Sequence, residues 1–207
     1  MWDTLAEHLK ELGIKPSLST LNQLSQYARE IEFWNPKYGL VNASGDELMS
    51  RHFLDSLVAV PFLERLSPRV VADVGSGGGF PGIPLALYFP EIPFVLVERS
   101  GKRVRFLESV VSSLSIGNVR VIQSPIEECL ESFDLITFRA VSPLTEDFVR
   151  TLLKHLKDGG EIMAFKGKRE VIEGELQALD ALAIQSSVQK VQVPGLEEER
   201  HLVFLKK

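Results

Sequence analysis

The chain has 207 residues, 44% of them hydrophobic and 25% charged, with 15 Gly, 11 Pro and one Cys. That is the balance of an ordinary globular domain, and the lone Cys129 excludes an internal disulfide framework and a cysteine-based zinc site. A formal net charge of −5 argues against coating nucleic acid through bulk positive charge and leaves room for a local basic patch.

The first ten residues, MWDTLAEHLK, carry Asp3 and Glu7 and lack a basic start followed by an apolar run. No secretory signal is therefore expected, and the cytoplasm is the expected compartment. The apolar stretch from Leu57 to Leu63 falls far short of the about 18 residues a membrane span requires. A monomer without membrane contact is expected.

Helical signals come first. Thr4 to Leu12 reads as a short helix ended by Gly13 and Pro16. Leu21, Leu24, Tyr27, Ala28, Ile31 and Trp34 recur at three- and four-residue steps, which predicts a second helix with Ser17 or Ser19 as N-cap, broken by Asn35 and Pro36. A third is predicted from about Asp46 to Leu63.

From Val70 the pattern changes to short β-rich runs: VVADV (70–74), FVLVE (94–98), VRVIQ (119–123), DLITF (134–138) and EIMAF (161–165). Helix-length stretches lie between or after them, at 81–89, 102–114, 145–156 and 169–182. This βα alternation predicts a mainly parallel sheet covered on both faces, with right-handed crossovers. VQKVQVP (188–194) and HLVFLKK (201–207) are joined by only six residues, too few for a parallel crossover, so an antiparallel hairpin is expected. Its acidic tip, Glu197 to Glu199, reads as a solvated loop.

The strongest local signal is VVADVGSGGGFPGIPLAL, where a strand ends in Asp73 and Val74 and glycines precede a helix. Gly77, Gly79 and Gly82 satisfy the dinucleotide pattern G-x-G-x-x-G, but the strand ends several residues earlier and Pro81 sits where the helix would aim its amides at a pyrophosphate. The pattern D-x-G-x-G-x-G, with Asp73, Gly75, Gly77 and Gly79, is the better template. It suits S-adenosylmethionine, with Asp73 supplying negative charge toward the cationic end. Glu98 ends the next strand, the position of a ribose-binding carboxylate in nucleotide-binding α/β folds, or else pairs with Arg99 or Arg103.

Six segments carry a family resemblance: RHFLDSL (51–57), DVGSGGGFPGIPLAL (73–87), GKRVRFLE (101–108), FRA (138–140), FKG (165–167) and ERHLVFLKK (199–207). Together they resemble the bacterial small-subunit rRNA guanine-N7 methyltransferases, the glucose-inhibited division protein B family, from roughly Phe33 to the C-terminus. The resemblance implies a Rossmann-like methyltransferase fold as a core over 67–207 with an N-terminal helical cap over 1–66. It further implies S-adenosylmethionine as donor and N7 of one guanine in the decoding-site loop of 16S rRNA as acceptor, within the 30S subunit or its precursor. By motif, the cofactor contacts would include Gly75, Phe80, Glu98, Ile126, Glu127 and Arg139. Three positions depart from the common pattern: Gly78 stands where the family often has Pro or Ala, Glu98 where Asp is commoner, and Phe138 where Ser is frequent. Phe138 either stacks on the target base or completes the core.

Guanine N7 exposes a lone pair and has no proton to lose, so transfer needs in-line positioning and a dry pocket more than a general base. A cation reading guanine belongs on O6, since one on N7 would block the nucleophile. Arg139 and Lys166 are the expected catalytic residues. Lys102, Arg103 and Arg105 form one basic cluster, and Lys166, Lys168 and Arg169 another; both are expected to meet RNA phosphates. His52 and His201 are expected to tie the cap to the sheet. The rival readings are an S-adenosylmethionine-dependent enzyme acting on a non-rRNA substrate and a non-catalytic nucleotide-binding regulatory module.

Overall fold

A computed structural model describes residues 2–207. Met1, part of the expected cap, lies outside the described residues. Helices α1 (Trp2–Glu11) and α2 (Leu18–Tyr38) lead into a broken helical stretch: α3 (Gly45–Leu48), a π-helical turn (Met49–Leu54), α4 (Asp55–Leu57) and α5 (Val60–Leu66). The remainder alternates: β1 (Val71–Val74), α6 (Gly82–Tyr88), β2 (Phe94–Glu98), α7 (Gly101–Ser113), β3 (Val119–Gln123), β4 (Phe133–Arg139), α8 (Glu146–Lys154), β5 (Leu156–Lys166), α9 (Arg169–Gln177), β6 (Gln185–Val191) and β7 (Arg200–Lys206). Among the described residues, no helix is long and apolar enough to cross a membrane.

The strands form one seven-stranded sheet in the order β3-β2-β1-β4-β5-β7-β6. The first five are mutually parallel, while β7 runs antiparallel to both β5 and β6. The expected C-terminal hairpin is therefore present, and it closes the sheet beside β5.

Side-chain alternation divides the sheet between two cores. Phe94 and Leu96 of β2 and Val71 of β1 face the N-terminal helices, α6 and α7, whereas Val95, Val97, Ala72 and Val74 face α8 and α9. The N-terminal helices thus share one continuous apolar core with the sheet, and that packing brings residues 49–57 over the carboxyl ends of the strands.

Two helix boundaries differ from expectation. Ser17 caps α2 as predicted, its hydroxyl accepting from the Thr20 amide at 3.0 Å. The helix then runs through Asn35 and Pro36 to Tyr38. A proline in the last turn removes only one ladder hydrogen bond, and Asn35 compensates: its Oδ1 accepts from the amides of Leu40 (2.7 Å) and Val41 (2.9 Å). The expected single helix over 46–63 is instead divided. Pro61 starts α5 in its first turn, where the missing N–H costs nothing, and the π-helical turn widens the helix just before it.

Candidate active site

The glycine loop follows from strand alternation. Asp73 shares the face of Val71, so its carboxyl points under α6 rather than toward solvent. It is fully buried, and Oδ2 accepts from the Gly82 amide at 3.0 Å. Gly82 must lack a side chain, since a Cβ there would lie 2.6 Å from Asp73 Oδ2 and 2.5 Å from Leu96 Cδ2. Burial pushes the Asp73 carboxyl up to about 7, with the Gly82 amide opposing. Oδ1 has no hydrogen-bond partner. Asp73 thus braces the base of α6.

Glu98, which shares the face of Phe94 and Leu96, is nearly buried. Its Oε2 accepts from the Gly77 amide at 2.9 Å and its Oε1 from the Ser100 amide at 2.8 Å, while Arg103 stands 3.9 Å away. It borders a cavity of about 330 Å³ together with Gly75, Ile126 and Glu127, four of the expected cofactor contacts. Gly75 has φ +68°, and a Cβ on it would strike Val141 Cγ2 at 2.5 Å. Val141 therefore roofs a passage that only a bare backbone leaves open.

Other expected contacts lie behind this wall. Gly77 serves it through the Glu98 bond, and Gly79, at φ +91°, leaves room for Ile83 and the Tyr27 hydroxyl. Tyr27 itself donates to the Gly78 carbonyl. Phe80 is buried, with its ring 5.2 Å from Tyr27, 5.3 Å from Phe53 and 4.9 Å from His52. Phe138 is core: it is fully buried against Phe148.

Arg139 ends β4 and lines a second cavity of about 560 Å³ with Lys166, Arg200 and Asp55. Its Nη1 donates to Asp55 Oδ2 (2.6 Å) and to the Arg51 carbonyl (3.0 Å), and its Nη2 donates to His52 Nδ1 (2.8 Å). The guanidinium lies 5.4 Å from the Phe80 ring centre. The other oxygen of Asp55 accepts from Arg200 Nε at 3.0 Å, so one buried carboxylate joins β4 to the C-terminal hairpin. His52 accepts through Nδ1 and so carries its proton on Nε2. Burial, then the Arg139 and Arg51 charges, push its pKa down to about 3, which keeps it neutral. His201 donates to the Gly167 carbonyl at 2.6 Å, tying β7 to the end of β5. Both histidines serve structure.

Lys166 pairs with Glu175 of α9 at 2.7 Å and donates to the Ser142 carbonyl at 3.3 Å. Lys168 and Arg169 line an adjoining cavity with Arg51 and Arg200. Of the α7 cluster, Arg103 borders the first cavity, Lys102 lies over Tyr38, and Arg105 is exposed on the outer helix face. The acidic hairpin tip is more than a solvated loop: Glu198 pairs with Arg51, and Glu199 accepts from the Arg169 amide at 3.2 Å. The opposite charges of Arg51 and the α9 N-terminus draw it onto this rim.

Asp55 and Arg200 are the members of this site that residue-by-residue reading does not single out. Their signal lay in RHFLDSL and ERHLVFLKK, two segments that carry the resemblance without declaring a role. The two cavities meet at Ala140, which lines both.

A family model described as rRNA small subunit methyltransferase G matches residues 20–203. The chain is 41% identical over 204 residues to the ribosomal RNA small subunit methyltransferase G of Treponema pallidum (strain Nichols), covering 96% of this chain and 89% of that protein. It is 38% identical over 210 residues to the protein of that name from Shigella flexneri, covering 100% and 98%. Among solved structures, an O-methyltransferase from Bacillus cereus in complex with SAH superposes with a TM-score of 0.63 at 16% identity, covering 100% of both chains. A precorrin-6y C5,15-methyltransferase from Geobacter metallireducens reaches 0.57 at 16% identity, covering 72% of this chain and 87% of that one. These two share the fold.

Proposed function

The chain belongs to the rRNA small subunit methyltransferase G family, and from that membership we propose that it moves the methyl group of S-adenosylmethionine to N7 of one guanine in the decoding-site loop of 16S rRNA. The observation that carries the reading is the junction at Ala140, which lines both a small cavity walled by backbone and Glu98 and a second cavity walled by Arg139, Lys166 and Arg200. A donor site and an acceptor site that share one residue are what direct transfer between two bound molecules requires.

The smaller cavity fits the donor in chemistry. Its volume of about 330 Å³ falls within the range of small-molecule sites, and it offers the Glu98 carboxylate to a diol, Ile126 to an adenine face and the bare Gly75 backbone to a chain that must pass closely. When bound there, S-adenosylmethionine supplies an electrophilic methyl carbon on a sulfonium. Gly77, Gly79 and Phe80 hold the loop, and Asp73 holds α6 beneath it.

On the acceptor side no proton has to leave N7, so the residues need only to bind, orient and exclude water. With Gly75, Glu98 and Ile126 holding the donor, its sulfonium would supply both the methyl group and the leaving group for in-line attack by N7. Arg139 is braced by Asp55, His52 and the Arg51 carbonyl, which fixes its guanidinium in the wall of the second cavity. Lys166, held by Glu175, faces the same cavity and supplies the cation for guanine O6. Lys102, Arg103, Arg105, Lys168 and Arg169 bind phosphates at the rim. The enzyme acts as a cytoplasmic monomer on the 30S subunit or its precursor, with residues 1–66 as a helical cap and residues 67–207 as the catalytic core of one compact unit. Neither rival reading has a specific observation in its favour.

The test is transfer of labelled methyl from S-adenosylmethionine to 30S particles from cells lacking the gene, mapped by borohydride–aniline cleavage. Cleavage at one guanine is expected. Cofactor binding without transfer to any ribosomal substrate would overturn the assignment.

A further inference from the structure

The C-terminal turns of α2 carry an aromatic surface that lines neither of the two cavities. Phe33 is 74% exposed. Its ring meets Trp34 edge-on at 5.2 Å, and Trp34 stacks on Tyr38 at 5.3 Å with only 20° between the planes. Lys37 Nζ lies 5.8 Å from the Trp34 ring centre and 5.6 Å from that of Tyr38. Lys102 reaches the Tyr38 ring from α7 at 5.1 Å. Three aromatic rings and two ammonium groups thus share one surface of a chain whose net charge is negative.

The patch is ordered from beneath. Trp34 and Tyr38 pack partly on the core, and the Trp34 indole donates to Glu30 Oε2 at 3.1 Å, which engages that neighbouring carboxylate. The other acidic neighbour, Glu32, is exposed on the same helix. Phe33 is the exception, with most of its ring left in water.

The position ties the patch to the site. Gly39 ends α2 in the left-handed region, and the chain then passes along the glycine loop, with the Leu40 carbonyl 3.3 Å from where a Cβ on Gly78 would stand. Lys102 is followed by Arg103, which stands 3.9 Å from Glu98. The aromatic surface is therefore joined to the wall of the donor cavity in two places, through Leu40 against the glycine loop and through Lys102, the neighbour of the cavity-lining Arg103.

We propose that Phe33, Trp34 and Tyr38, with Lys37 and Lys102, form a stacking platform for unpaired bases of the substrate RNA that flank the methylated guanine. Ring faces accept any base, and the ammonium groups answer the phosphates between them, which is the chemistry of single-strand binding. The inference rests on the rRNA reading above and adds which part of the substrate is gripped and where.

In a Trp2→Phe background Trp34 is the only tryptophan, so its fluorescence reports on the platform directly. A single-stranded RNA oligonucleotide should quench it, and a fully paired duplex of the same length should quench it much less. Phe33→Ala and Phe33→Leu should each weaken oligonucleotide binding roughly five- to hundredfold. They should raise the KM for 30S particles while kcat and S-adenosylmethionine affinity stay at wild-type values. Because Phe33 is exposed, unchanged circular dichroism and Tm are expected and exclude a folding defect. Absence of quenching together with an unchanged KM would overturn the platform. Loss of affinity for 30S particles with undiminished binding to naked RNA would overturn it in favour of a ribosomal-protein contact. Failure of the wild-type protein to methylate any 30S particle would instead strike the functional reading, and the oligonucleotide titration would still decide the platform.

Discussion

The two sides of the proposed site, donor and acceptor, hold their carboxylates in different ways. On the donor side, Glu98 and Asp73 are held by backbone amides of Gly77, Ser100 and Gly82. On the acceptor side, Asp55 is held by the side chains of Arg139 and Arg200, the latter 145 residues away in sequence. An amide-held carboxylate depends on local backbone shape, which a contiguous glycine motif encodes. A cation-held carboxylate depends on tertiary packing, and each partner it loses leaves a buried charge behind.

The largest effect should therefore follow from Asp55→Ala. Removing one member of a buried ion pair costs about 3–5 kcal/mol, and here two arginines lose the same partner. We expect a Tm loss of many degrees and a fall in methyl transfer of roughly a hundredfold or more, with Arg139→Ala close behind, because Asp55 then keeps only Arg200. Asp55→Ala with near-normal Tm and turnover would show that the two sides do not differ in this way.

This contrast also explains what could be read from sequence. The parallel sheet, the C-terminal hairpin and the glycine loop follow from apolar periodicity and glycine placement, which are local. Gly75, Glu98, Ile126 and Glu127 do meet in one cavity because each ends a strand or follows one. Asp73 stands at the expected strand end, with its carboxyl buried against the Gly82 amide. Period-two alternation from Val71 turns it under α6, a consequence that the D-x-G pattern alone does not reveal. The Asp55 brace joins the stretch after the π-helical turn to β4 and β7, and no spacing in the chain announces that meeting. Pro36 misled for the opposite reason: the local rule ends a helix there, and Asn35 supplies the bonds that let it continue.

On the donor side, effects should be smaller and confined to the loop. Gly75→Ala forces a Cβ to within 2.5 Å of Val141 Cγ2 at φ +68°. We expect S-adenosylmethionine affinity to fall about tenfold or more while the sheet stays intact. Gly82→Ala should lower stability by roughly 1–3 kcal/mol through overpacking against Leu96 and Asp73. Unchanged calorimetric binding to the Gly75→Ala protein would remove Gly75 from the cavity wall.

Acid titration sharpens the comparison, because each side contributes one perturbed group of opposite sign. Asp73 holds its proton up to about 7 in the native state against 3.8 in the free side chain. The native state binds more protons across that window, so this group lowers stability as pH rises through it. His52 stays neutral down to about 3 against 6.5, so the unfolded state binds more protons between those values. Its contribution is complete above pH 6.5 and is lost as pH falls toward 3. Between pH 4 and 6.5 the two oppose, each on the order of 1.4 kcal/mol per pH unit at most. Asp73→Asn should leave a stability that climbs from pH 4 to 6.5, and its gain over wild type should be greatest above pH 7. His52→Gln should do the reverse, with stability declining as pH rises toward 7. Urea denaturation at pH 4, 5.5 and 7.5 reads both, and parallel curves for the three proteins would defeat the assignment.

The smallest expected effect concerns the rims, and it decides whether the RNA lies across both sides or along one. Lys102 stands on the donor side over Tyr38, and Lys168 on the acceptor side beside Arg51 and Arg200. Each phosphate neutralised by such a cation releases condensed counterions, so removing one contact flattens the dependence of log K on log salt by about 0.7 to 0.9. Lys102→Gln and Lys168→Gln should each show that decrement, and the double variant should show their sum, because Lys102 contacts Tyr38 whereas Lys168 lines a cavity with Arg51 and Arg200. At low salt the single variants lose only a few-fold in affinity, so the slope is the measurement to make. A decrement in one variant alone would place the RNA path along that flank. Equal and additive decrements mean that the substrate straddles the junction at Ala140, with the target base held between the amide-built wall and the arginine-built one.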